Sequence, residues 1–205
     1  MTLIQGSEEW HAARRGKVTA SRVSDLIAKT KSGWGASRKN YMAELIAERL
    51  TDTTAERFVN GAMQWGTDTE PQARAAYEFF QGETVVEIGL VDHPDIPMCA
   101  ASPDGLVGDD GMIEVKCPNT ATHIDTLLTG NIPEKYNTQM QWQMACAERQ
   151  WCDFVSFDPR MPEDLRLFVK RVERDDERID TLAGMIRQFL AELDSKLATL
   201  AKEAA

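Results

Sequence analysis

The sequence predicts an α/β (α+β) fold in which helices flank a central mixed β-sheet, and three observations predict it. Apolar residues recur at helical spacing through residues 1–82, β-branched and alternating stretches concentrate between 83 and 173, and residues 174–205 return to one helical register. The 205 residues show no repeat or low-complexity linker, so one domain is expected: a mainly helical first part, a sheet-bearing core and a C-terminal helix.

Ser7 predicts a helix N-cap, with Glu8 and Glu9 in the first turn and Gly16 as the stop. A second helix is expected from Thr19 and Ser21, with Val23, Leu26 and Ile27 facing inward. Tyr41, Met42, Leu45, Ile46 and Leu50 predict a third over 38–50, and Ala73, Ala76, Tyr77 and Phe80 a fourth over 68–80, where Pro71 suits a first turn. Strands are expected at 84–91, 98–101 and 112–115, the last after the turn-like Gly108-Asp109-Asp110-Gly111, as partners in an antiparallel ribbon. Helices follow at 121–129 and 135–149, then strands at 151–157 and 165–172. Ile179, Leu182, Ile186, Leu190, Leu193, Leu197 and Leu200 mark the closing helix.

The formal net charge is −10, which argues against indiscriminate coating of nucleic acid. Residues 1–40, however, carry eight basic groups against three acidic ones. With a Debye length of about 8 Å in physiological salt, a polyanion can dock there while the acidic remainder is screened. A solvated basic face is the other reading of the same charges. No stretch reaches the roughly 18 apolar residues of a membrane span, and the charged first twenty residues do not read as a secretory signal. Cys99, Cys117, Cys146 and Cys152 are spaced too irregularly for a zinc ribbon, so a reducing, cytoplasmic setting is expected.

The chemistry concentrates in Ser102-Pro103-Asp104-Gly105-Leu106 and in Glu114-Val115-Lys116. On a strand, Glu114 and Lys116 share one face and Val115 takes the other. A preceding turn, stiffened by Pro103 and bent at Gly105, can bring Asp104 beside Glu114. Two adjacent carboxylates repel unless a cation neutralises them or a proton is shared. Oxygen ligands suit Mg²⁺ or Mn²⁺ rather than zinc, with the Val115 carbonyl as a third ligand. Lys116 can orient an attacking water or, with a depressed pKa, accept its proton. An ordinary surface turn followed by a strand would leave the same spacing. The apolar flanks Ile113 and Val115 favour the metal site, because burying Glu114 and Lys116 without partners is costly.

Six motifs occur in order: Trp10-His11-x-x-Arg14-x-Gly16-x-x-Thr19-Ala20-Ser21; Trp65-Gly66 followed by Glu70; Ser102-Pro103-Asp104-Gly105; Glu114-Val115-Lys116-Cys117-Pro118; Gln139-x-Gln141; and Asp158-Pro159-Arg160-Met161. In these the chain resembles the PD-(D/E)xK nucleases, whose core is restriction-endonuclease-like, and within them the lambda exonuclease family with its YqaJ-type phage recombination nucleases. The resemblance implies a ring-shaped homotrimer that digests linear double-stranded DNA from a 5′-phosphate end, 5′ to 3′, using two Mg²⁺ ions. It further implies release of 5′-mononucleotides, 3′ single-stranded tails, a single-strand annealing protein as partner, and a bacterial host cytoplasm as the setting.

By that resemblance Asp104, Glu114 and the Val115 carbonyl bind metal, Lys116 attends the water, Glu70 adds an acidic group, and Gln139 positions it. Arg14, Thr19, Ser21 and Ser102 are implied to grip phosphates, Lys31 with Lys29 to reach duplex from a mobile loop, and Met63 to wedge the strands apart. From the residues alone, Glu70 is a first-turn helix acid, Gln139 and Gln141 are a polar helix face, Met63 is a packing methionine and Arg14 is a solvated helix residue. Trp10, Trp65, Trp142 and Trp151 read as core or interface residues. A catalytically inactive nuclease fold that binds DNA ends or protein, and an endonuclease of the same fold, remain as alternatives.

Overall fold

The computed structural model describes residues 3–31, 33–54 and 60–203. Along the chain, α1 (Glu8–Arg14) leads to β1 (Val18–Thr19), and a 3-10 turn (Ala20–Arg22) runs into the short α2 (Val23–Leu26). A two-stranded ribbon, β2 (Lys29–Thr30) and β3 (Gly33–Trp34), precedes α3 (Ala36–Thr51) and α4 (Gly61–Gln81). Then come β4 (Val85–Val86), β5 (Val91–Asp92), β6 (Cys99–Ala101), β7 (Gly105–Val107) and β8 (Gly111–Lys116). Helices α5 (Thr120–Thr129) and α6 (Glu134–Ala147), strands β9 (Trp151–Phe157) and β10 (Leu167–Glu173), and the long α7 (Asp176–Glu203) complete it.

A five-stranded sheet in the order β10-β9-β8-β7-β4 forms the centre. It is mixed: β7 and β8 form an antiparallel hairpin, and β8 runs parallel to β9 with Glu114 opposite Phe154. The period-two alternation of β8 decides which side each residue serves. Ile113 and Val115 join Val155 and Phe157 under Ala73 and Tyr77 of α4, whereas Met112 joins Phe154 under Met140 and Met144 of α6. Glu114 therefore lies on the α6 side. A third cluster packs α2, α3 and α7 against β1 and β6, with Trp142, Ala145 and Cys146 of α6 among its buried residues. β1 and β6 belong to a small second sheet, β1-β6-β5.

Several expectations are corrected. The fourth helix begins at Gly61, because the Asn60 side chain accepts the Met63 backbone N–H at 2.9 Å and caps it there. Pro71 thus sits in mid-helix, on its exposed side, rather than in the first turn. The expected strand over 84–91 is two short pieces in different sheets. Residues 105–107, where a bend is expected at Gly105, form a strand. Gly105 has no left-handed backbone there; a Cβ would meet Val85 Cγ1 at 2.1 Å, so close strand packing requires the glycine. The second helix is only a 3-10 turn and one short helix, and the 29–33 loop is held in the β2–β3 ribbon; Ser32 lies outside the described residues.

Candidate active site

β7 begins only at Gly105, opposite Ile113, so the ladder offers the Val115 N–H nothing from that strand. Asp104 supplies the acceptor, its Oδ2 lying 2.7 Å from Val115 N. This one bond brings the Asp104 carboxylate to the strand that carries Glu114. Lys116 Nζ donates to Glu114 Oε1 and, at 3.1 Å, to the Val115 carbonyl oxygen. From α6, Gln139 Nε2 donates to Glu114 Oε1 at 2.7 Å and Gln143 Nε2 to Glu114 Oε2 at 2.7 Å. Glu114 is completely buried.

Two buried carboxylates face one ammonium. Burial and the Glu114 charge push the Asp104 carboxyl well above the usual carboxylate range. Burial opposes charge on Lys116, but Glu114 and Asp104 outweigh it and hold the amine above the usual lysine range. In this arrangement Lys116 is a cation, the opposite of the depressed lysine that would accept a proton. The two oxygens it bridges, Glu114 Oε1 and the Val115 carbonyl, are two of the three expected metal ligands. They already converge on a point of positive charge, and the donor set is all oxygen. These residues fit a hard divalent cation. Among the described residues no three His, Cys, Asp or Glu side chains converge into a metal cluster, so the backbone carbonyl is essential to the fit.

The same cleft, about 280 Å³, is lined by Arg14, Ser21, Glu70, Ser102, Asp104, Glu114, Val115, Lys116 and Gln139, together with Trp10 and Gln143. At its other end Ser102 Oγ accepts from Trp10 Nε1 at 3.0 Å and from Arg14 Nη1 at 3.2 Å. The Arg14 guanidinium lies 4.1 Å over the Trp10 ring. Trp10 is thus a buried residue that also shapes the site, and Arg14 is packed rather than simply solvated. Ser21 is exposed at the rim, but its short 3-10 turn aligns few amides toward an anion. Thr19 lies behind the cleft: it is buried, its N–H donates to Tyr41 Oη at 3.1 Å, and its Oγ1 has no partner among the described residues.

Glu70 reaches the cleft from the middle of α4 and pairs with Arg74 one turn on, which itself pairs with Glu87 at 2.9 Å. Met63, 50% exposed, lines an adjoining cavity of about 550 Å³ with Gly66, Cys117, Tyr136 and Gln139. It is not a core-packing methionine. Lys31 is exposed beside the ribbon turn and lines neither cavity. Gln139 and Gln141 do not form one face. Gln141 points away, donating to the Glu173 carbonyl and accepting from the Asp175 N–H. The partner of Gln139 is Gln143, one turn along α6, which the motif spacing passed over and the i, i+4 rule would have found.

Residues 9–150 match the family described as YqaJ-like viral recombinase domain. Among solved structures, an alkaline exonuclease (LHK-Exo) from Laribacter hongkongensis is 55% identical, with 97% of this chain and 98% of that one covered and a TM-score of 0.91. A second structure of that protein, in complex with dAMP, matches equally. A phage related exonuclease from Haemophilus somnus 129PT shares the fold at 19% identity, with a TM-score of 0.70 over 92% of this chain and 96% of that one. No curated protein sequence matches. No helix among the described residues is long and apolar enough to cross a membrane.

Proposed function

This chain belongs to the YqaJ-like viral recombinase domain family, and on that premise we propose that it is a Mg²⁺-dependent exonuclease of linear double-stranded DNA. That it is a nuclease follows from the family and from the 55% identity with an alkaline exonuclease. In the proposed reaction it works 5′ to 3′ from a 5′-phosphate end, releases 5′-mononucleotides and leaves 3′ tails for recombination by strand annealing. The observation that carries the reading is the single cleft that joins the Asp104, Glu114 and Lys116 cluster to the Arg14–Ser102 pair. The relative crystallised with dAMP, a nucleoside monophosphate, the class of product proposed here.

Asp104, Glu114 and the Val115 carbonyl would hold Mg²⁺, or Mn²⁺ in its place, and the family resemblance adds a second ion. Bound there, such ions offset the charge that develops on the scissile phosphate and make water a stronger acid. The protein's own groups do the rest. Lys116 and Gln139, both bonded to Glu114, orient the water; Glu70, with its charge balanced by Arg74, adds an acceptor at the cleft wall. Arg14, fixed on Trp10 and Ser102, offers a guanidinium that grips a terminal phosphate through two parallel bonds, with Ser21 at the rim and Thr19 behind. In this reading Met63 parts the strands, and Lys31 meets duplex phosphates farther out.

Three chains closed into a ring would retain DNA topologically, and a single-strand annealing protein would take up the exposed 3′ strand. DNA of this kind lies in the cytoplasm of a bacterial host, where we put the reaction. Incubation of linear and covalently closed duplex with Mg²⁺ or EDTA tests the activity. Linear DNA should be lost only with metal, 5′-phosphorylated ends faster than 5′-hydroxyl ends, with Arg14→Ala abolishing most of that preference. Digestion of closed circles, or metal-independent cleavage, would sink the proposal. Light scattering should give three times the 23.0 kDa chain mass.

A further inference from the structure

We propose that Gln143 is a positioning residue that locks the Glu114 carboxylate for cation binding and ties it to the phosphate-gripping end of the cleft. The inference rests on the metal-dependent reading above and adds a residue to it.

A glutamate's terminal torsion is soft and roughly two-fold, so one donor leaves its carboxylate free to swing. Glu114 instead receives Gln139 on Oε1 and Gln143 on Oε2, each at 2.7 Å, from side chains stacked one turn apart on α6. The two amides hold both oxygens against one rigid helix face. This fixes the direction in which the carboxylate presents its remaining lone pairs.

The amide orientation of Gln143 is set by its neighbours. Its Nε2 faces the Glu114 carboxylate and, at 3.4 Å, the Ser102 carbonyl, both of which only accept. A flipped amide would set oxygen against oxygen twice. Gln143 is fully buried, and its Oε1 has no partner among the described residues. An apolar side chain of similar volume would avoid that orphaned acceptor, so the stability of the helix does not account for the amide. What accounts for it is the bridge. Ser102 carries Arg14 and Trp10 on its Oγ, and Gln143 joins the carbonyl of the same residue to Glu114. One side chain thus spans the cation-binding and phosphate-gripping ends.

Gln141 is the natural control, because it is equally buried on the same helix but bonds the Glu173 and Asp175 backbone away from the cleft. The experiment uses the full chain, with Mn²⁺ binding measured by calorimetry without DNA, melting by circular dichroism, and kcat and KM on 5′-phosphorylated duplex. Gln143→Met should weaken Mn²⁺ binding about tenfold and lower kcat with little change in KM, as loss of a group that orients a metal ligand does. Gln143→Asn, which keeps the amide but withdraws it by one methylene, should share the defect and decides the matter if the Met variant does not fold. Gln141→Met should lower the melting temperature and leave Mn²⁺ affinity unchanged. Parental Mn²⁺ affinity and kcat in folded Gln143 variants would overturn the inference while leaving the metal-dependent reading intact. A parent chain that binds no Mn²⁺ and needs none for hydrolysis would overturn both.

Discussion

On β9, the buried Asp153 receives Arg171 through two bonds of 2.9 and 3.0 Å and the Tyr77 hydroxyl at 2.8 Å. Just beyond that strand Asp158, also buried, receives Arg160 through its side chain and backbone N–H, and the Thr120 hydroxyl. On the neighbouring β8, Glu114 and the nearby Asp104 share one ammonium, that of Lys116. Both regions bury carboxylates in the same sheet. The first matches each acid with its own guanidinium, and its acids are therefore structural. The second leaves an excess of negative charge at the wall of a cleft, at a cost in the isolated chain that a bound cation would remove.

The most forceful way to break this contrast is to remove the cleft charges. Asp104→Ala and Lys116→Ala should each leave a folded protein whose hydrolysis of linear duplex is slower by on the order of a thousandfold, several kcal/mol of transition-state stabilisation. Either variant within tenfold of the parent would show that the excess charge serves another purpose. Arg171→Ala should do the reverse. It strands Asp153 with Tyr77 alone and should lower stability by on the order of 2 kcal/mol in urea titrations, while the hydrolysis rate stays near that of the parent.

A smaller effect sharpens the comparison through pH. Burial opposes ionisation of Asp158, but Arg160 and Thr120 outweigh it and hold its pKa at about 2. An unfolded aspartate titrates near 3.9. Asp158 therefore contributes stability that is fully present above about pH 4 and lost as pH falls through its folded value. Asp104 is shifted the other way: its contribution is present below the unfolded value and lost as pH rises through the raised folded one. In EDTA, Asp104→Asn should be more stable than the parent at pH 8, and the gap should close toward about pH 4. Asp158→Asn should be less stable at neutral pH, with its gap closing toward about pH 2. Parallel pH profiles for the two variants would erase the distinction between the clusters.

What the sequence determined by itself was whatever depends on local period and spacing. Helical stripes located the helices, Ser7 located the start of α1, and alternation put Glu114 and Lys116 on one side of β8 and Val115 on the other. The ordered motifs carried the family, because residue type and order survive in a sequence whatever the packing. Tertiary structure decided everything that depends on which strand lies beside which. Gly105 reads as a bend until Val85 is seen to lie against it, and Pro71 reads as a helix start until the cap is seen at Asn60, well before it. Gln141 and Gln143 are indistinguishable as buried helix glutamines. Helical spacing from Gln139 puts Gln143 on its face and Gln141 on another, but only the seating of α6 across the sheet decides that the first face meets Glu114 and the second Glu173. A hydrogen bond between residues 29 positions apart is fixed by how that helix packs on the sheet, and packing is a property of the folded molecule rather than of either segment.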